Sequence, residues 1–287
     1  MTNKIYFGDN LPILREMESE SVNLIYIDPP FNTGKAQRRT QIKTVRSEGG
    51  DRTGFAGRRY ETVKVGTKAY HDLFDDYLAF LEPRLREAHR ILTADGTLCF
   101  HIDWREAHYC KILLDEIFGR DSFLNEIIWA YDYGARTKKK WSAKHDTIFL
   151  YVKDPKNYVF NYDEIERIPY MAPGLVGKEK AERGKTPTDV WWHTIVSPTG
   201  KEKTGYPTQK PRRIIDWLVR THSCPGDIVM DFFAGSGTAG EAAHLLGRRF
   251  ILIDDNPEAL EVMAKRFAEM KEVEFVGYHP QKRSARA

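Results

Sequence analysis

An α/β fold built on a mostly parallel sheet is predicted by three observations. Short β-rich runs alternate with amphipathic helical stretches along most of the chain, a Gly-x-Gly turn sits between a strand and a helix, and 287 residues at 41% hydrophobic content suffice for a sizeable core. Lys4 to Phe7 reads as a strand, and Leu11, Leu14 and Met17 mark one face of a helix after the Gly8-Asp9-Asn10 turn. Val22 to Ile27 is a buried-type strand that Pro29 and Pro30 bring to a stop at Asp28. Residues 33–68 hold Gly34, Gly49, Gly50, Gly54, Gly57 and Gly66 among many Lys and Arg, which predicts a mobile basic loop.

Helical periodicity returns over Tyr70 to Leu92, a strand is expected at Thr97 to Ile102, and a second helix runs from Ala107 to Phe118. Phe123 to Ala130 and Thr147 to Val152 read as strands joined by a basic segment. Lys153 to Gly205 then breaks the rhythm, so residues 131–206 are read as an inserted recognition region. The closing series is a helix at Arg212 to His222, a strand at Ile228 to Phe233, a helix at Thr238 to Leu246, a strand at Arg249 to Ile253 and a helix at Pro257 to Lys271. The tail from Gln281 should fray, and the whole of 1–287 reads as a single domain.

Charge is unevenly spread. Residues 34–68 carry 10 Lys/Arg against 3 Asp/Glu, residues 133–213 carry 17 against 9, and the net +3 of the chain leaves −12 for the rest. An acidic body with two basic insertions suits a polyanionic partner, because each cation near a phosphate releases a condensed counterion; a solvated loop surface is the plain alternative. Arg38, Arg39, Arg136, Lys138, Lys139 and Lys140 are the candidate phosphate contacts. No apolar run approaches a membrane span, and the N-terminus lacks signal-peptide order, so a cytoplasmic protein without membrane attachment is expected. Cys99, Cys110 and Cys224 are too few and too scattered for a disulfide framework or a zinc knuckle and read as core thiols. His101, His108 and His145 show no metal spacing.

Two motifs carry chemistry. In Asp231-Phe232-Phe233-Ala234-Gly235-Ser236-Gly237-Thr238 the glycines let a ligand approach the backbone after a strand. Nineteen residues past Gly235, Asp254 can accept both hydroxyl hydrogens of a ribose, which suits an adenosine cofactor, with Asp255 and Asn256 adjoining. The third glycine of the dinucleotide fingerprint is missing, since Gly240 stands five residues after Gly235, and a tight turn that binds nothing is the alternative. In Asp28-Pro29-Pro30-Phe31-Asn32 two prolines hold a carboxylate, a carbonyl and an aromatic ring on one rigid turn. An exocyclic base amine is a poor nucleophile because its lone pair is delocalised. Accepting its two hydrogens on Asp28 and a main-chain carbonyl, with Phe31 stacked on the ring, favours attack through nitrogen; a bare proline turn is the alternative.

Taken together, Ile27 to Asn32 (IDPPFN), Pro207 to Pro211 (PTQKP) and Asp231 to Thr238 (DFFAGSGT) resemble the β-group DNA amino-methyltransferases, in which the DPPY-type motif precedes the cofactor motif. The resemblance covers most of the chain. It implies a Rossmann-like S-adenosylmethionine-dependent methyltransferase fold with a seven-stranded, mostly parallel sheet, and a target-recognition region between the motifs. It assigns Asp28, Pro29, Pro30 and Phe31 to the flipped base. To the cofactor it assigns Asp9, Asp28, Thr208, Lys210 and the run Asp231, Phe232, Phe233, Ala234, Gly235, Ser236, Gly237 and Thr238, together with Asp254, Asp255 and Asn256. Asp at the head of the first motif resembles the adenine-modifying members, so the implied reaction is methylation of adenine N6 in double-stranded DNA. N4-cytosine methylation and a non-catalytic specificity subunit stand as alternatives. Phe31 replaces the tyrosine of many relatives, which keeps stacking and loses the phenol. The resemblance further implies a homodimer, and a restriction endonuclease, if there is one, on another chain. Trp191 and Trp192 read either as stacking residues or as core.

Overall fold

The computed structural model describes residues 2–32, 37–46, 52–53, 59–70, 74, 76–134, 136–197, 200 and 202–280. In chain order the elements are β1 (Asn3–Phe7), α1 (Asn10–Glu16), β2 (Val22–Ile27), β3 (Gln37–Arg46), β4 (Arg52–Thr53), β5 (Arg59–Tyr70), α2 (Tyr77–Ile91), β6 (Leu92–Asp103) and α3 (Ala107–Phe118). There follow β7 (Phe123–Ala130), β8 (His145–Val152), α4 (Lys178–Arg183), β9 (Val190–Trp192), α5 (Arg212–His222), β10 (Ile228–Asp231), α6 (Thr238–Leu245), β11 (Arg249–Asp254), α7 (Pro257–Arg266) and β12 (Val273–Val276). The chain divides into two compact units, Met1–Pro29 with Leu78–Ala287, and Pro30–Tyr77.

The smaller unit carries an antiparallel sheet in the order β3-β5-β4, paired from Gln37↔Tyr70 to Arg46↔Tyr60. The irregular loop expected over 33–68 is therefore wrong for these segments. Thr40, Ile42, Thr44 and Val45 in β3, and Thr62, Val63, Val65 and Thr67 in β5, are β-branched residues that suit extended backbone, and the surrounding glycines and charges masked them. Cross-strand pairing then satisfies the backbone. Tyr70 belongs to β5, so the helix starts at Tyr77. The glycines at 34, 49, 50, 54 and 57, and the tail from 281, lie outside the described residues.

The larger unit is built on a nine-stranded sheet in the order β12-β1-β11-β10-β2-β6-β8-β7-β9. From β12 to β6 every pair is parallel, β8 runs against both β6 and β7, and β9 is parallel to β7, so β8 alone is reversed. The expected seven strands become nine because β12 and β9 add to the two edges. β9 lies inside the presumed insertion, and β8 sits within the sheet, so residues 131–206 are not one continuous insert. The β2 strand is buried on both faces, as a central parallel strand requires, with Leu24, Ile25 and Ile27 fully enclosed. On α5, Ile214, Ile215, Leu218, Val219 and His222 form the inward stripe. Cys99 and Cys110 are core thiols, whereas Cys224 is exposed. Among the described residues no helix is long and apolar enough to cross a membrane.

Candidate active site

Three carboxylates close three adjacent parallel strands. Asp254 ends β11, Asp231 ends β10, and Asp28 follows β2, with β10 between the other two. The carboxyl edge of a parallel sheet is where this architecture binds ligands.

The glycine turn follows β10. Gly235 has φ +49°, and a Cβ there would lie 3.1 Å from Tyr206 Cε1; at Gly237, φ +74°, it would meet Met263 Cγ at 2.8 Å. Both positions require glycine. The Gly235 amide donates to Asp254 Oδ2 at 2.7 Å, and the Asn256 amide to Oδ1 at 2.9 Å. Each oxygen keeps a further lone pair for a hydroxyl donor. Burial outweighs these hydrogen bonds and pushes the Asp254 carboxyl up to about 6. Asp231 accepts from the Phe233 amide at 3.0 Å, and burial holds its carboxyl well above the ordinary range.

Not every residue of the motif faces outward. Phe232 is fully enclosed. The Ser236 and Thr238 hydroxyls are buried and bonded to one another at 2.9 Å. Asn256 caps α7 through its side-chain oxygen and reaches the Tyr206 hydroxyl at 3.4 Å. Thr208 and Asp255 are exposed.

The third motif comes in from 182 residues away, where Lys210 Nζ forms an ion pair with Asp28 Oδ2. Both side chains are largely buried, at 11% and 15% exposure. Asp28 Oδ1 is buried and has no hydrogen-bond partner among the described residues. A carboxylate with one oxygen clamped and the other open is an acceptor awaiting a donor. Gln209 stabilises the loop by accepting from the Thr204 amide at 2.8 Å and donating to the Glu202 carbonyl at 2.7 Å.

Asp9 sits at the head of α1 and pairs with Arg84 of α2 at 2.8 Å. Arg84 also donates to Asn10 Oδ1 at 2.6 Å, and Asn10 donates to the Phe232 carbonyl at 2.6 Å, tying the first turn to the glycine turn. Arg84 and Asn10 were not read from the sequence, and nothing local marks them. Tyr206 was also missed, though it adjoins Pro207 of the third motif. A buried chain flanks the site: the Tyr26 hydroxyl meets His101 Nδ1 at 2.9 Å, His101 Nε2 lies 3.3 Å from Asp146 Oδ2, and the Tyr131 hydroxyl donates to Asp146 Oδ1 at 3.1 Å.

In the smaller unit, the Pro30 carbonyl accepts from the Tyr77 hydroxyl at 2.6 Å. Asn32 adopts φ +50°, a conformation asparagine tolerates better than most residues. Arg38 and Arg39 fall on β3, opposite Ala69 and Lys68. Arg136 pairs with Asp132 at 2.5 Å, and Lys138, Lys139 and Lys140 are exposed on the segment after β7.

Adjacent parallel strands that present a glycine turn, a ribose-type carboxylate and a second, partly open carboxylate define an α/β enzyme for a nucleoside cofactor. Comparison with known proteins makes this specific. A family model described as DNA methylase matches residues 22–266, and the chain belongs to that family. Relatives include the DNA adenine methyltransferase YhdJ of Escherichia coli (strain K12), 30% identical over 275 residues with 91% of this chain and 81% of the relative covered. The type II methyltransferase M.HpaI of Haemophilus parainfluenzae is 29% identical over 266 residues, covering 93% and 74%. Among solved structures, the PvuII DNA methyltransferase (cytosine-N4-specific) superposes with a TM-score of 0.62 at 14% identity, covering 94% of this chain and 88% of that one. An M1.HpyAVI–SAM complex gives 0.58 at 20% identity, covering 92% and 98%. These likenesses show that the fold is the Rossmann-like one of S-adenosylmethionine-dependent DNA methyltransferases.

Proposed function

We propose that this DNA methyltransferase moves a methyl group from S-adenosylmethionine to the N6 amine of an adenine flipped out of a specific site in double-stranded DNA. The observation that carries the reading is Asp28, held by Lys210 through one oxygen and left open at the other beside the glycine turn. The Asp28 head of the motif and the 30% identity to an enzyme named for adenine support adenine over cytosine.

The site suits the cofactor: Asp254 retains acceptor capacity for two ribose hydroxyls, and Gly235 leaves the backbone approachable. When bound, S-adenosylmethionine supplies an already activated sulfonium methyl. The protein then aligns the nucleophile, excludes water and polarises the amine. Asp28 Oδ1 and the Pro29 carbonyl accept the two amine hydrogens, so electron density stays on nitrogen, while Phe31 stacks on the base. Flipping costs a few kcal/mol of stacking and pairing, which basic and aromatic surface residues must offset. The same reading carries a homodimer, tested by light scattering, for which a DNA-bound monomer is the contrary result.

The test is incubation with mixed-sequence duplex DNA and methyl-labelled cofactor, followed by nucleoside analysis. Labelled N6-methyladenine is expected, labelled N4-methylcytosine moves the target to cytosine, and cofactor binding without any label favours the specificity-subunit reading.

Trp141 is 98% exposed and follows Lys138–Lys140 beyond the carboxyl end of β7, the edge on which Asp28 lies. Trp104 follows the neighbouring carboxyl end of β6, with Lys140 Nζ 5.4 Å from its ring. Trp191, by contrast, packs on Trp217 at 4.9 Å, and Trp192 is 76% exposed. Base stacking on an exposed aromatic is worth about 1–3 kcal/mol. Trp141→Ala should therefore weaken DNA binding about 5- to 150-fold in a fluorescence-anisotropy titration while cofactor affinity holds. Unchanged DNA affinity would remove Trp141 from the interface.

Cofactor binding should also depend on pH. Asp254 accepts ribose hydroxyls best as the carboxylate, and its carboxyl titrates near 6. Lowering the pH from about 7.5 to 5 should raise the cofactor dissociation constant about tenfold, and Asp254→Asn should flatten that profile. The raised value has the opposite sign for folding: the folded chain holds this proton more tightly than the unfolded one. That contribution to stability is present at low pH and lost as pH rises through about 6. Weaker binding at pH 5 is thus not unfolding driven by Asp254. Calorimetric titration across this range decides it, and a flat wild-type profile refutes the role.

A further inference from the structure

A cavity of about 370 Å³ lies against β7, β8 and α5, within the size range of small-molecule sites. It is not the cofactor site. Leu150 on its floor is level with Cys99 and Tyr26, near the carboxyl end of β2, but β8 and β7 stand two and three strands along the sheet from β2, which puts the cavity about 10–15 Å to the side of Asp28. The C-terminal half of α5 lines it, from Trp217 to His222, about 7–15 Å along the axis from the N-terminus of that helix, which Lys210 precedes.

The lining has three layers. Ile127, Leu150 and Leu218 form an apolar floor, and Phe160, Trp191 and Trp217 form aromatic walls. Trp217 is fixed by donating its indole N–H to Glu166 Oε2 at 2.6 Å, while Arg213 neutralises Glu166 through Oε1 at 2.6 Å. At the exposed rim stand Glu164 and Asp189, and among the described lining residues there is no Lys or Arg.

Two buried polar residues, Thr221 and His222, are part of the lining. His222 is 3% exposed, its ring packs on Phe160 at 5.5 Å, and its Nδ1 is buried without a hydrogen-bond partner. Burial pushes this imidazole down to about 4, against a backbone hydrogen bond with Val159, so the ring is neutral at physiological pH. With its other side engaged by the backbone, Nδ1 is an acceptor. An unpaired acceptor in an apolar cavity is costly and calls for a donor.

From this arrangement we propose a second ligand site, separate from the methyl-transfer centre, for a small cationic heteroaromatic molecule. The ring slots between the aromatic walls, a ring N–H donates to His222 Nδ1, and the positive group faces Glu164 and Asp189. Aromatic faces and an acidic rim both favour a cation over an anion.

The probe is tryptamine, titrated calorimetrically into the full chain, with N1-methyltryptamine and indole-3-acetate as comparators. Tryptamine should bind. Methylating the indole nitrogen, or replacing the acceptor by His222→Phe, should each weaken binding about tenfold, the worth of one buried hydrogen bond. The anionic indole-3-acetate should bind more weakly than tryptamine, and Asp189→Asn should narrow that difference. Circular dichroism establishes that His222→Phe folds, and the N-methyl comparison and the rim variant test the site without it. Absence of tryptamine binding up to about 10 mM, equal binding of the methylated probe, or preference for the anion would each overturn the proposal.

Discussion

Replacing Asp28 by Ala is expected to reduce methyl transfer by about 10²–10⁴-fold while leaving cofactor affinity within about twofold of wild type. The expectation follows from the division of labour at the carboxyl edge of the sheet. In the proposed reaction Asp28 Oδ1 receives the amine while Oδ2 is held by Lys210, and although the resemblance also lists Asp28 toward the cofactor, the ribose carboxylate and the glycine turn belong to the ends of β11 and β10. Asp28→Asn keeps an acceptor but no charge, and should fall between Ala and wild type. Rates measured at saturating cofactor, with binding measured separately, distinguish loss of chemistry from loss of cofactor. Undiminished transfer by Asp28→Ala would remove the residue from the mechanism, and a parallel collapse of cofactor affinity would make it a cofactor residue instead.

The opposite separation is expected at Gly235. A valine there must adopt φ +49° with a branched side chain, and its Cβ would stand 3.1 Å from the Tyr206 ring. Left-handed backbone costs a non-glycine residue about 1–2 kcal/mol, which at this chain length lowers the melting temperature by about 2–8 °C. The functional loss should be larger. Displacing the turn moves the Gly235 amide from Asp254 and fills the space through which a cofactor approaches, so cofactor affinity should fall at least about a hundredfold. Gly235→Ala should be milder. Calorimetry measures the binding and thermal denaturation the fold, and a folded Gly235→Val protein that binds cofactor at wild-type affinity would show that the turn does not cradle it.

Much of the larger unit was legible locally. The strand β2 and the helices α3 and α5 have the limits their periodicity predicts, because burial of one stripe or one central strand leaves its mark at fixed spacing. Edge elements were harder. The short strands β9 and β12 present weak patterns, and their pairing with β7 and β1 is decided by the partner strand. The sheet of the smaller unit was misread for a related reason: Thr and Val favour extended backbone, but without a continuous apolar face they are outweighed in a reading by charge and glycine.

By itself the sequence determined the alternation of strands and helices, the three motifs and their order, and the places where glycine and proline leave the backbone one local choice. Those properties are written in neighbouring residues. Only the tertiary structure decided that Lys210 clamps Asp28, that Arg84 joins Asp9 to the glycine turn through Asn10, and that Tyr206 lies over Gly235. It alone brought the imidazole of His222 to a cavity lined from β7, β8 and α5. The reason is physical: an ion pair or an orphaned acceptor depends on distance in space, and strand order brings together residues that sequence holds up to hundreds of positions apart.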